Sequence, residues 1–124
     1  STLPLAPGTA DPLSLNLVLA SRLADGFDAF QVWLVDEDEI EEHRYSARAP
    51  EFLDTALGCL ETRQVQRLRP GSSSRYTLSW HAQQFDWLPV LVRHGKRDGP
   101  HMEMRIDSLH IGSKAVPPGK PCPG

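Results

Sequence analysis

The sequence predicts an α+β fold, a mostly antiparallel sheet of about five strands with two helices in the order αββαβββ. Three observations predict it. Five short stretches between positions 29 and 106 are rich in β-branched and aromatic residues, and most of them alternate in polarity. Two other stretches repeat apolar residues at helical spacing behind capping signals, and Gly, Pro and Ser clusters separate the elements. A chain of 124 residues suits one domain with one core. At this length roughly two-thirds of the unfolded surface is buried on folding, so neither metal nor disulfide is required.

Residues 1–11 read as an irregular lead-in containing Pro4, Pro7 and Gly8. Asp11-Pro12 then supplies a capping acid and a first-turn proline. Leu13, Leu17, Ala20 and Ala24 form one stripe and Leu15, Val18, Leu19 and Leu23 another, so this helix should be covered on much of its circumference. Asp25-Gly26 ends it, because glycine takes the left-handed cap without penalty. Phe30, Val32 and Leu34 then alternate with Gln31, Trp33 and Val35 in a first strand, and 40–47 return as a second.

Ala49-Pro50-Glu51 reads as the start of a second helix with Leu53, Ala56, Leu57 and Leu60 on its core face and Cys59 on the flank. Gly58 inside that helix would cost up to about 1 kcal/mol relative to Ala, so a close packing partner is expected there. Pro70-Gly71-Ser72-Ser73-Ser74 is a turn. Three strands follow. Tyr76, Leu78 and Trp80 alternate with Thr77, Ser79 and His81; 87–93 are apolar on both faces; and Met102, Met104 and Ile106 alternate until the phase slips near Ser108, where a bulge is expected. Residues 12–112 thus form the domain, and 113–124, rich in Pro and Gly, a flexible tail.

The αββαβββ order resembles the roadblock and profilin-like folds and, less closely, the NTF2-like folds, over residues 12–111 and at the level of topology. Such folds host scaffolds as readily as enzymes. The resemblance to NTF2-like folds implies a pocket between sheet and helices, here lined by Tyr76, Trp80, His81 and Trp87.

Charge is unevenly spread. Residues 1–61 hold 12 acids and 3 bases, residues 62–124 hold 4 acids and 10 bases. The halves either neutralise each other across the sheet or set up a dipolar surface that steers a charged partner. The run 36–42 carries Asp36, Glu37, Asp38, Glu39, Glu41 and Glu42 at a hairpin tip, beside a Trp33 whose strand face is open unless a second layer covers it. Arg63, Arg67, Arg69 and Arg75 flank the Pro-Gly-Ser turn, and Arg93, His94, Lys96 and Arg97 form a second basic group. Both are candidates for anion binding, although the acidic balance and core-phased aromatics argue against a nucleic-acid reader.

His81, His94, His101 and Glu103 are the nearest approach to a ligand set, and their spacing matches no metal motif; neither metal nor cofactor is expected. Ser72, Ser73 and Ser74 lack a nucleophile elbow, so no catalytic residue is assigned. Cys59 and Cys122 suit one bridge, or a buried thiol and a tail thiol. The longest apolar run of the first half, 17–20, is far too short to span a bilayer. By elimination the leading expectation is a non-catalytic interaction domain whose partner is another protein or a second copy of the chain, presenting a sheet face or the charged hairpin. A small ligand-binding or enzymatic domain is the alternative, and an anion binder using the basic second half is the third reading.

Overall fold

The computed structural model describes residues 9–10, 15–36, 39–69, 71 and 73–123. In chain order the elements are β1 (Thr9–Ala10), α1 (Leu15–Ala24), β2 (Ala29–Asp36), β3 (Glu39–Ala47), β4 (Glu51–Thr55), β5 (Gly58–Leu68) and β6 (Arg75–Ala82). A 3-10 turn (Gln83–Phe85) follows, then β7 (Leu88–Lys96), β8 (His101–Arg105), β9 (His110–Ile111) and β10 (Lys114–Ala115). One sheet runs β1-β2-β3-β5-β6-β7-β8, antiparallel except at β1–β2, with β4 also paired to β5; β9 and β10 form a separate hairpin. No described helix is long and apolar enough to cross a membrane.

The α+β class with a mostly antiparallel sheet holds. Asp11 and Pro12, the expected helix start, lie outside the described residues, as do Glu37, Asp38, Pro70 and Ser72. The far end of α1 closes as read. Gly26 takes φ +83°, its N–H donates to Leu23 O, and Phe27 N–H donates to Arg22 O, the paired bonds of a Schellman cap. The helix is buried on one side only, through Leu19 and Leu23, whereas Leu17 is 73% exposed. The cover expected over much of its circumference is therefore narrower, with Leu17 and Ala24 of the other stripe exposed.

The second helix is not formed; the segment is the β4–β5 hairpin, turning at Ala56 and Leu57. Leu53 and Leu60, seven apart, suggested successive helical turns, but a two-residue turn midway between them makes them direct cross-strand partners. Thr55 Oγ1 closes the turn, donating to Gly58 O and accepting from Leu57 N–H. Pro50 marks a break between two strands rather than a first helical turn. Both β3 and β4 pair with the same side of the long β5, and Arg48 N–H donates to Gln64 O at the gap. With one helix among the described residues, the αββαβββ order and its roadblock, profilin-like and NTF2-like resemblances do not carry over.

Gly58 does have a close partner, for a different reason. It sits at φ +104°, and a Cβ there would lie 2.8 Å from the backbone of Gly119. Residues 113–123, expected as a free tail, run back to this hairpin. Gly119 N–H donates to Leu57 O, Cys59 N–H to Lys120 O and Cys122 N–H to the Asp54 carboxylate, and Cys59 and Cys122 form a disulfide. Proline and glycine here give an extended path with few donors, which docking by a handful of bonds and one covalent link can hold. The phase slip near Ser108 is not a bulge: β8 ends at Arg105, and the irregularity in the sheet lies at Trp80/His81.

Strand alternation puts two apolar clusters on opposite faces. Under α1 lie Val32, Leu34, Tyr45 and Val65 against Leu19 and Leu23. On the other face are Leu57, Leu60, Trp80, Ala82, Val90 and Leu91, covered by Phe85, Ile106 and Leu109. Burying one such leucine is worth about 2 kcal/mol.

Candidate functional site

The α1 face of the sheet carries a graded sequence of rows. Register aligns Ala47 with Val65, Val65 with Ser79, Ser79 with Val92 and Val92 with Met104, a mostly apolar row across five strands. Two residues along each strand, about 7 Å away, come Tyr45, Arg67, Thr77, His94 and Met102. Two further along lie His43, Arg69, Arg75 and Lys96, which is a row of cations and one imidazole. An even spacing of two is what carries one face of a strand from apolar to cationic.

Between this face and α1 is a cleft of about 350 Å³. Leu15 and Leu19 of α1 roof it, Leu34, Val65, Val92 and Met104 form its apolar wall, and Glu41, His43, Tyr45, Arg67, Thr77 and Ser79 supply polar atoms. A second, more open depression of about 420 Å³ adjoins it across Thr77 and is lined by Arg69, Arg75, Tyr76, His94, Lys96 and His101.

The polar end is under-satisfied. Arg67 Nη2 lies 2.9 Å from His43 Nε2, which is also 3.2 Å from Glu41 Oε2. One ring nitrogen cannot accept from Arg67 and donate to Glu41 at once. The arginine always carries its protons, so Nε2 accepts and the ring proton sits on Nδ1, which is buried without a partner. The Nε atoms of Arg67 and Arg69 are likewise buried and unpartnered. Arg69 Nη2 donates to Thr77 Oγ1 (3.1 Å). Burial, then the neighbouring Arg67 and Arg75, hold Arg69 below the ordinary guanidinium range, with Tyr45 opposing. Burial pushes the Tyr45 phenol up against the pull of Arg67 and Arg69.

Ser79 and His81 form a buried pair behind the cleft. Ser79 Oγ donates to His81 Nε2 and His81 Nδ1 donates to Trp87 O, both at 2.8 Å. Burial lowers the His81 pKa, outweighing the Trp87 carbonyl, so the imidazole is held neutral. The carbonyl it holds belongs to a bulky residue at φ +65°, next to Asp86 at +53°. The pair thus stabilises a strained turn. A hydroxyl on an imidazole is chemically capable of proton transfer, but here the imidazole is oriented by a main-chain carbonyl rather than a carboxylate.

The residues singled out in the sequence scatter. Tyr76 lines the basic depression, Trp87 packs on the α1 core, His81 is sealed, and Trp80 lies on the opposite face, where its Nε1 donates to Glu51 and Arg93 stacks over its ring. They do not converge on one pocket. Arg63 is buried and donates to Arg48 O, to Phe27 O and Ala47 O, and to Asp28 at 2.6 Å; it plugs the β3–β4 gap. Arg93 pairs with Glu103 on the face away from α1, which also leaves Glu103 bound by Arg93 and Arg105 rather than beside His81 or His94. Arg97 sits in the exposed β7–β8 turn, where its N–H donates to Ser74 O.

The acidic run is divided by the pleat. Glu41 faces the cleft with His43, and Glu42 faces the other way beside Trp33, paired to Arg44 at 2.7 Å. Asp36 and Glu39 are register partners at the ends of β2 and β3. Trp33 is 39% exposed, on the face away from α1. Sequence reasoning found Arg75 among the basic residues flanking the Pro-Gly-Ser turn but missed His43, Tyr45, Thr77 and Ser79. Their signal was polar residues recurring at a spacing of two in strands whose apolar residues share that phase. No family model, curated protein or solved structure matches this chain.

Proposed function

We propose that this domain binds a small amphiphilic molecule in the cleft between α1 and the sheet, with the apolar part beside Leu34, Val65, Val92 and Met104 and the polar part toward Arg67. The observation that carries the reading is the apolar-to-cationic gradient along one roofed face, ending in buried donors without partners. A ligand acceptor would satisfy those donors, whose isolation is otherwise a standing cost of about 1–3 kcal/mol each. The volume lies within the range of small-molecule sites. At about 30 Å³ per water-sized group it admits roughly ten non-hydrogen atoms. The Cys59–Cys122 bridge suits an oxidising compartment. Ser79 and His81 are read as structural, each satisfying the other's buried polar atom.

The test is displacement of a fluorescent apolar dye by ten-carbon alcohols and acids. Wild-type protein should release one equivalent of dye. Met104→Trp, which fills the wall from an exposed strand, should weaken both dye and chain at least several-fold without lowering stability. Equal affinity in the variant would refute the placement.

A second reading, a protein-interaction domain, is favoured by Trp33 and Ile40, both exposed on the face away from α1. It ranks below the cleft because the carboxylates meant to act with Trp33 are split between two faces. If it holds, Trp33→Ala weakens capture of a partner and leaves dye binding unchanged.

A further inference from the structure

We propose that the polar head of the cleft's ligand is a phosphate monoester, held by Arg67, Arg69 and Arg75 where the cleft opens past Thr77 into the basic depression. The inference rests on the amphiphile reading and adds its head group.

The cations are arranged for an anion that the chain does not itself supply. Among the described residues, no carboxylate lies within ion-pair distance of Arg67, Arg69, Arg75 or Lys96, whereas Arg44, Arg63, Arg93 and Arg105 each have an acidic partner. Arg67, Arg69, Arg75 and Lys96 also share a sheet face. Arg67 leads, by a step of two along the strand, to Arg69, and Arg75 and Lys96 are register partners. Like charges repel at this spacing, so a cluster without acids is destabilising until an anion joins it.

Thr77 lines both hollows and accepts from Arg69 Nη2, which fixes that guanidinium between them. The Nε atoms of Arg67 and Arg69 are buried without a partner. The cleft's one acid, Glu41, sits against His43 and is solvent-exposed.

Chemistry decides between carboxylate and phosphate. A carboxylate brings one charge and two oxygens, fewer than three guanidiniums can use. A phosphate monoester brings a charge of about −1.5 to −2 at neutral pH and three terminal oxygens, each able to take charge-assisted bonds from a planar guanidinium. The gradient also fixes polarity: the ester oxygen faces Thr77 and the chain runs back toward Val65 and Val92.

The experiment is calorimetric titration of the whole protein with decyl phosphate, decanoate, decanol and inorganic phosphate. Parallel titrations use Arg69→Gln and Arg75→Gln. The expected order is decyl phosphate, then decanoate about tenfold weaker, then decanol, with inorganic phosphate weakest. Either substitution should remove most of the phosphate preference and leave decanol affinity unchanged, which also shows that the variant is folded. Added salt should weaken decyl phosphate far more than decanol.

Equal binding of decyl phosphate and decanoate would overturn the head-group inference while the amphiphile reading stands. Tight inorganic phosphate with no contribution from the chain would mean a free-anion site and would overturn both. Binding of none of the four would also sink both.

Discussion

Reducing the Cys59–Cys122 bridge is the sharpest perturbation of this fold. Linking positions 63 apart removes about 4 kcal/mol of unfolded-chain entropy at 25 °C. The bridge also anchors the bonds from Gly119, Cys59 and Cys122 to the β4–β5 hairpin and its flank. The expected loss is about 4 kcal/mol, which for a domain of this size lowers Tm by roughly 15 °C. Urea unfolding of wild type and of Cys59→Ser/Cys122→Ser, each with and without dithiothreitol, measures it. The wild type should fall to the level of the double variant when reduced, and the double variant should ignore the reductant. A loss below about 1 kcal/mol would refute the reasoning, since the link closing this ring would then restrict the unfolded chain far less than its length implies.

Three further outcomes follow from the geometry. Gly58→Ala places a methyl against the Gly119 backbone at a positive φ, so thermal melts should show a loss of about 2 kcal/mol or more. Arg63→Met removes the plug from the β3–β4 gap and strands several carbonyls, which should cost about 3 kcal/mol in urea. His81 is held neutral with its pKa lowered from 6.5, so the unfolded chain takes up a proton more readily. Its contribution is therefore complete above the unfolded value and is lost as pH falls toward and through the folded one. The denaturation midpoint should drop on acidification below about pH 6.5, while the His81 ring proton in NMR shows its titration shift only below the ordinary imidazole value of about 6.5.

The elements that were legible share a feature: their signals are local. Alternation in β2 and the Asp25-Gly26 cap depend only on neighbours along the chain, and both are found. The 51–60 segment was misread because a hairpin and a helix can bring the same leucines together, one by register and the other by turn. Which applies depends on β5, a partner that the segment does not contain. Gly58 carried usable information, since a glycine at a position of close approach is equally a turn residue. The site was less legible than the fold. Its cations were noticed as two clusters along the chain, with Arg67, Arg69 and Arg75 already in one of them, but Lys96 of the second joins these three, while Arg63 and Arg93 are committed elsewhere. Only the pairing of β3, β5, β6 and β7 sorts them onto faces.

The disulfide also changes how the molecule would respond to pulling. Tension applied outside positions 59 and 122 passes through the sulfur bridge and never reaches the chain between them. That enclosed stretch contains nearly all of β5 together with β6, β7 and β8, and so the larger part of the cleft floor. Stretching would peel away α1, β2 and β3 and leave the floor slack. The 63 residue steps inside the ring would hold about 220 Å of hidden length. A force-extension trace should lack that length until a reductant is added, and then release it. Any ligand seated between helix and floor would be let go at the first, smaller extension, because its roof lies on the loaded part of the chain and its floor does not.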